Sequence, residues 1–317
     1  VTLSLFAGLL LFGLFILPLA QASNENANQL CGYGYLEELY EHDLAVYQSL
    51  TVKYSYTPPS LPYFWILNDT KEWELIKADL KTTGNHCYIY VENGSSFTDW
   101  EMLKDEFDNK IYPELTKNFG EPPNIDGDDR IYILIADIYT GGYFTSRDQN
   151  PSIEHSNGKD IVYIDEFQAD KKGTLAHEFT HMIHYQQDAG HNEELWIDEG
   201  IAMFSEWFIY GTHHWTLWGD DNTNGYDDYQ DVSLVYNEYL THPNPIEERK
   251  LRISQYGCAY LFTFYLREKY GGNQTIFDLL KEDEDGIQAI NKILTDKGYA
   301  DKFVDIFKKW IVANVLD

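Results

Sequence analysis

His177-Glu178-Phe179-Thr180-His181, followed after seventeen intervening residues by Glu199 in the run Trp196-Ile197-Asp198-Glu199-Gly200, decides how this chain is read. On a helix, positions four apart project from one face one turn above each other, so His177 and His181 can both turn a ring nitrogen toward a single ion. Zinc suits two imidazoles. An oxygen ligand from a second helix, for which Glu199 is placed, leaves a fourth tetrahedral position open to water, as a catalytic site requires. Glu178 lies beside a ligand without being one, and from there its carboxylate can accept a proton from a metal-bound water attacking a carbonyl. Such a water has a pKa of roughly 7 instead of about 15.7 in bulk.

A His-Glu-x-x-His string also arises by chance on amphipathic helices, so its surroundings matter. Residues 161–165 read as a short buried strand, and Thr174-Leu175-Ala176 lead into a helix whose apolar face carries Leu175, Phe179, Met182 and Ile183. Asn192 or a nearby acid starts the next helix, through Trp196, Ile197, Ile201, Ala202, Phe204 and Trp207. The metzincin pattern fits poorly, because it wants Gly at 184 and His at 187 where the chain has His184 and Gln187. His184 lies about 10 Å along the axis from His177, too far to share the ion, and is expected to line the core or the cleft. His191, His213 and His214 read as loop residues.

With these residues the sequence resembles the gluzincin metallopeptidases, whose third ligand is a glutamate on the helix after the His-Glu-x-x-His helix. Within them it is most similar to the hyicolysin-type peptidases. The likeness rests on 174–179 and 196–203, on the upstream run 130–137 with Gly142-Tyr143-Phe144, and on Tyr256-Gly257-Cys258-Ala259-Tyr260-Leu261-Phe262, within roughly residues 60 to 272. Thr180 departs from the longer polar residue expected there, at a variable position. The resemblance implies an α+β, thermolysin-like two-lobe fold and zinc-dependent hydrolysis of peptide bonds outside the cell. It also implies His177, His181 and Glu199 as ligands, Glu178 as base, and a tyrosine or histidine that supports the oxyanion. Tyr256, just ahead of an expected helix from 259 to 270, is the tyrosine placed for that role, although a packed tyrosine fits equally in a chain with 25 of them. Glu206, seven residues after Glu199, either accepts a hydrogen bond from a ligand imidazole or, the plainer expectation, is an exposed helix carboxylate.

The first 22 residues carry no charge, run apolar from Leu3 to Leu19 and end in Ala20-Gln21-Ala22, a small-x-small site like those cut by signal peptidase. Export is expected, with cleavage before Ser23, or with the leader kept as a membrane anchor. The remainder is strongly acidic: 23 basic residues against 52 acidic ones leave a formal charge of −29, which excludes nucleic acid as a natural partner and leaves protein or peptide substrates. Three cysteines allow one disulfide, for which Cys31 with Cys87 is a guess; Cys258 reads as buried in an apolar helix.

The expected organisation is a signal peptide over 1–22, an N-terminal α/β lobe over 23–189 ending in the zinc-binding helix, and a helical C-terminal lobe over 190–317. The first lobe reads as a helix over 36–50, strands at 63–67, 86–91, 131–136 and 161–165, and a capping box at 98–101 opening a helix toward Leu115. The strand at 161–165 is expected to line the cleft as an edge that holds a substrate peptide by main-chain hydrogen bonds. The second lobe reads as helices at 234–240, 259–270, 276–281, 287–294 and 303–315. Asp220, Asn222, Asn224 and Asp231 follow the oxygen spacing of a calcium loop, with Asp in place of the final Glu, whereas 124–129 reads as a polar turn.

The sequence therefore predicts a secreted zinc endopeptidase. Two alternatives remain. A zinc aminopeptidase would use the same ligands, but no Gly-x-Met-Glu-Asn-like loop precedes His177. A non-catalytic cell-surface protein could keep zinc only to tie helices together, but it has no use for Glu178.

Overall fold

The computed structural model describes residues 31, 33–49, 56–188, 193–220, 223–227, 230–235 and 245–316. The architecture is α+β. The strands expected from the sequence form as β1 (Tyr63–Leu67), β3 (Cys87–Glu92), β4 (Ile131–Ala136) and β6 (Ile161–Asp165), joined by β2 (Trp73–Thr83) and β5 (Gly142–Tyr143). They make one sheet in the order β1-β2-β3-β4-β6-β5, with β3, β4 and β6 parallel and the other pairs antiparallel. β4 reads Ile-Tyr-Ile-Leu-Ile-Ala and is buried throughout, as a parallel strand covered on both faces must be. β6 is also interior, flanked by β4 and β5, so the expectation that 161–165 forms the edge is corrected: the strand at that margin is β5.

Alternation along the strands gives the sheet two different faces. Ile131, Ile133 and Ile135 of β4 and Val162 and Ile164 of β6 point into a core shared with α2 (Trp100–Glu106), α3 (Tyr112–Phe119) and α4 (Lys171–Gln187). Tyr132, Tyr163, Tyr143 and Tyr90 point the other way, into a second cluster that includes Leu36 of α1 (Tyr33–Ser49). The capping box at 98–101 does not close. Asp99 occupies the N-cap without a side-chain hydrogen bond, and Glu101 instead pairs with Lys104 at 2.6 Å. A π-turn at Phe107–Ile111 then links α2 to α3.

After α4 come α5 (Leu195–Tyr210), a short hairpin of β7 (Gly219–Asp220) and β8 (Thr223–Asn224), α6 (Pro245–Lys269), α7 (Asn273–Leu279), α8 (Gly286–Asp296) and α9 (Phe303–Leu316). α6 starts well before residue 259, with Pro245 at its first position, Glu247 and Glu248 in its first turn, and Arg267 and Lys269 in its last, each placed as helix ends favour. Tyr256 therefore sits inside this helix and not ahead of it. α5 and α6 approach closely at Gly200, where a Cβ would run into Thr263 Oγ1 and the Ala259 carbonyl. Of the helix expected at 234–240, residues 236–240 lie outside the described residues, as do the leader at 1–22, Asn192 and His191. Among the described residues no helix is long and apolar enough to cross a membrane.

Candidate metal centre

α4 begins at Asp170, whose carboxylate accepts a hydrogen bond from the Gly173 N–H at 3.0 Å. From Leu175 to His184 the helix is buried without interruption, between the sheet and α5. A helix enclosed on all sides holds its polar side chains in fixed directions and demands partners for each of them. Thr180 Oγ1, 2.8 Å from Ser205 Oγ, ties α4 to α5 at the centre of that contact.

His177 and His181 stand with ring centroids 4.8 Å apart, and Glu199 comes between them from α5. Glu199 Oε2 is 3.1 Å from His177 Nε2 and 3.7 Å from His181 Nε2. Its other oxygen accepts a hydrogen bond from the Tyr256 hydroxyl of α6 at 2.7 Å. The far side of each imidazole is also held. His177 Nδ1 meets Glu206 Oε1 at 2.8 Å, and His181 Nδ1 meets Asp198 Oδ2 at 2.9 Å. Glu206 is thus the partner of an imidazole, which corrects the plainer expectation of an exposed carboxylate. Asp198, which the sequence does not single out, spends its second oxygen on His184 Nδ1 at 2.5 Å. His184 is core and does not line the cleft.

Burial disfavours a charged imidazole, but the hydrogen bonds to Glu199 and Glu206 outweigh it and push His177 up to about 10. His181 is raised as well, burial being outweighed by Asp198. Burial acts against the carboxylates too, yet the imidazoles hold Glu199 and Glu206 down at about 2 and lower Asp198 as well. Glu178 goes the other way: burial pushes it up to about 7 against the pull of His177 and His181. Its Oε2 accepts the Phe144 N–H at 3.1 Å, while its Oε1 is buried without a hydrogen-bond partner.

The expected Cys31–Cys87 disulfide is not formed. Cys87 lies on β3 facing Asp108, whereas Cys31 bridges alongside β5, four strand spacings and roughly 19 Å away at about 4.8 Å per strand, beyond the reach of an S–S bond. Cys31 Sγ instead stands 3.4 Å from Glu178 Oε2 and 3.6 Å from His181 Nε2. Nothing local in the sequence signals this, because Cys31 precedes His177 by more than a hundred residues and arrives only through the fold. Cys258 is buried in α6 as expected, its thiol pushed up to about 12 by burial.

Among the described residues, Cys31, His177, His181 and Glu199 offer donor atoms that all lie within 4.8 Å of one another. On a tetrahedral zinc with bonds of about 2.0–2.3 Å, neighbouring donors stand roughly 3.3–3.6 Å apart, so the separations of 3.1, 3.6 and 3.7 Å suit that ion. A second set, His177, Glu206 and His214, shares one histidine with the first. His214 follows a loop as expected, but its Nε2 reaches Glu206 at 3.3 Å. The centre opens on a cleft of about 610 Å³ whose lining includes Glu178, His214 and Tyr256 together with Lys110, Lys172 and Trp215. Of the expected calcium loop, Asn222 lies outside the described residues, Asp220 and Asn224 belong to β7 and β8 of the hairpin, and Asp231 is exposed. Residues 124–129 form the expected turn, in which Asp126 and Asp128 accept the N–H groups two residues on.

An α+β chain in which a buried His-Glu-x-x-His helix and a glutamate of the next helix converge on one donor cluster is built like the thermolysin-like metalloproteases, and its similarity to one neutral metalloprotease supports that class. It is similar to the neutral metalloprotease ShpI of Staphylococcus hyicus, with 30% identity over 240 residues, 68% of this chain and 52% of that protein. The chain thus spans about half the length of that relative. No family model matches the sequence.

Proposed function

We propose that this chain is a secreted zinc endopeptidase, with His177, His181 and Glu199 as ligands and Glu178 as general base. The observation that carries the reading is the placement of Glu178: a buried carboxylate beside the donor cluster, at the wall of the cleft, with one oxygen committed to the Phe144 N–H and the other to nothing. Bound zinc would supply an acidified water and polarise a carbonyl. Everything else falls to the chain. Glu206 and Asp198 fix the tautomer and direction of the two imidazoles by accepting hydrogen bonds from their Nδ1–H groups, which leaves Nε2 of each for the ion. Glu178 holds the proton that water gives up and delivers it to the leaving amine. Tyr256, anchored on Glu199 and lining the cleft, is the donor suited to the oxyanion. The likeness to a neutral metalloprotease and the uncharged leader support peptide substrates outside the cell.

Glu178→Gln tests the assignment. The variant is expected to retain zinc by elemental analysis and to lose hydrolysis of casein; cleavage at the parental rate would remove Glu178 from the chemistry. One observation favours a second reading, a non-catalytic protein that uses zinc only to tie its parts together. Cys31 offers a fourth protein donor, and structural zinc sites are closed by four. A mixed peptide library incubated with and without a zinc chelator separates the readings: internal cuts support an endopeptidase, terminal trimming an aminopeptidase, and no products from either the parent or Cys31→Ser a structural site.

A further inference from the structure

We propose that Cys31 is a fourth ligand to the metal and closes the active centre from within, so that the chain as it stands is a latent form. This rests on the zinc reading above and concerns the regulation of the same site. Three independent observations meet at Cys31. Its sulfur completes a four-membered donor set with His177, His181 and Glu199, and a thiolate is a soft ligand well suited to zinc. The same sulfur lies 3.4 Å from Glu178 Oε2, against the carboxylate that would otherwise face an attacking water. Finally, its backbone forms a parallel bridge to Gly142 of β5, the sheet margin beside the centre where an extended peptide would gain main-chain hydrogen bonds. One residue would therefore take the open corner of the metal, and it stands against the base and along the sheet margin as well.

Helix α1, which begins two positions after Cys31, is itself docked on the body of the protein. Within it Glu37 accepts the Ser146 N–H at 2.8 Å, Asp43 pairs with Arg147 at 2.7 Å, and Leu36 is wholly buried. A fourth protein ligand converts an open catalytic geometry into a closed one, and withdrawal of Cys31 reopens it.

The test is zinc-edge X-ray absorption on the full chain loaded with zinc alone, beside Cys31→Ser and, as a control, Cys87→Ser. The parent and the Cys87 variant are expected to show one sulfur at about 2.3 Å from zinc, and the Cys31 variant none. Cys31→Ser is further expected to cleave casein faster than the parent. Zinc bound through nitrogen and oxygen alone in the parent would overturn this inference and leave the zinc hydrolase intact, as would equal cleavage rates. No zinc in any of the three proteins would instead sink the metal reading itself. Should Cys31→Ser fail to fold, the parent spectrum alone decides.

Discussion

Replacing Asp198 by Asn keeps the shape of the side chain and removes the charge that two imidazoles share. In the native arrangement each carboxylate oxygen takes one Nδ1 proton, from His181 at 2.9 Å and from His184 at 2.5 Å, in a pocket that leaves Asp198 only 3% exposed. An amide offers one oxygen and one NH2. It can therefore still accept from His181, provided that His184 turns to its other tautomer and accepts from the amide nitrogen. The fold is expected to survive this exchange, because both contacts of residue 198 with the imidazoles are kept. What is lost is the negative charge behind the His181 ring, which makes Nε2 a better donor to a cation. Loss of such outer partners lowers metal affinity about 10–100-fold, or ~1.4–2.7 kcal/mol. Asp198→Ala is the harsher control: it leaves two buried Nδ1–H groups with no acceptor, at about 1–3 kcal/mol each, and is expected to lose stability as well as metal. The assay is zinc competition against a chelator of known affinity, read beside a chemical denaturation of the metal-free protein. Zinc affinity equal to the parent's in Asp198→Asn, with the fold intact, would refute the view that Asp198 works through His181.

Tyr256→Phe removes the hydroxyl that holds Glu199 and faces the cleft. It is expected to lower kcat more than it changes KM, and equal losses in both, or none, would return Tyr256 to a packing role. The pH profile depends on Glu178, whose carboxyl burial pushes up to about 7. Below that value it is protonated and cannot act as a base, so log kcat/KM measured in excess zinc should fall by about one unit per pH unit on the acid side. A bound cation favours the ionised form and moves this limb downward, so the expected inflection lies at or below about 7. A flat profile across that range would remove Glu178 as the titrating base.

Much of this site is legible without the fold. The four-residue spacing of His177 and His181 needs only a helix, and Glu199 needs only a second helix that packs on the first. The core strands β4 and β6 are equally plain as uninterrupted apolar runs. β2 escapes such a reading because Glu74, Lys77, Asp79 and Lys81 break the apolar pattern; only Ile76 and Ala78 turn inward, and the charges face solvent. Asp198 escapes it for a related reason. Residues adjacent on a helix diverge by about 100°, so a partner of Glu199 is sought one turn away. α5 is enclosed over most of its surface, and the side chains of Asp198 and Glu199 both reach α4. Cys31 leaves no trace in spacing at all, since its position depends on a parallel bridge to a two-residue strand.

The unequal faces of the sheet bear on how this molecule can come apart. Stripping away α4 would put isoleucines and phenylalanines into water, whereas lifting α1 would uncover a surface that includes phenolic rings and Arg147, groups that hydrate readily. The amino-terminal helix is therefore the layer whose departure disturbs the remainder least, and the guanidinium of Arg147 would keep the Glu154 carbonyl and the Trp73 ring when Asp43 leaves. A body that can shed one wall while the core around α4 stays dry has a mechanical route to exposing its own centre.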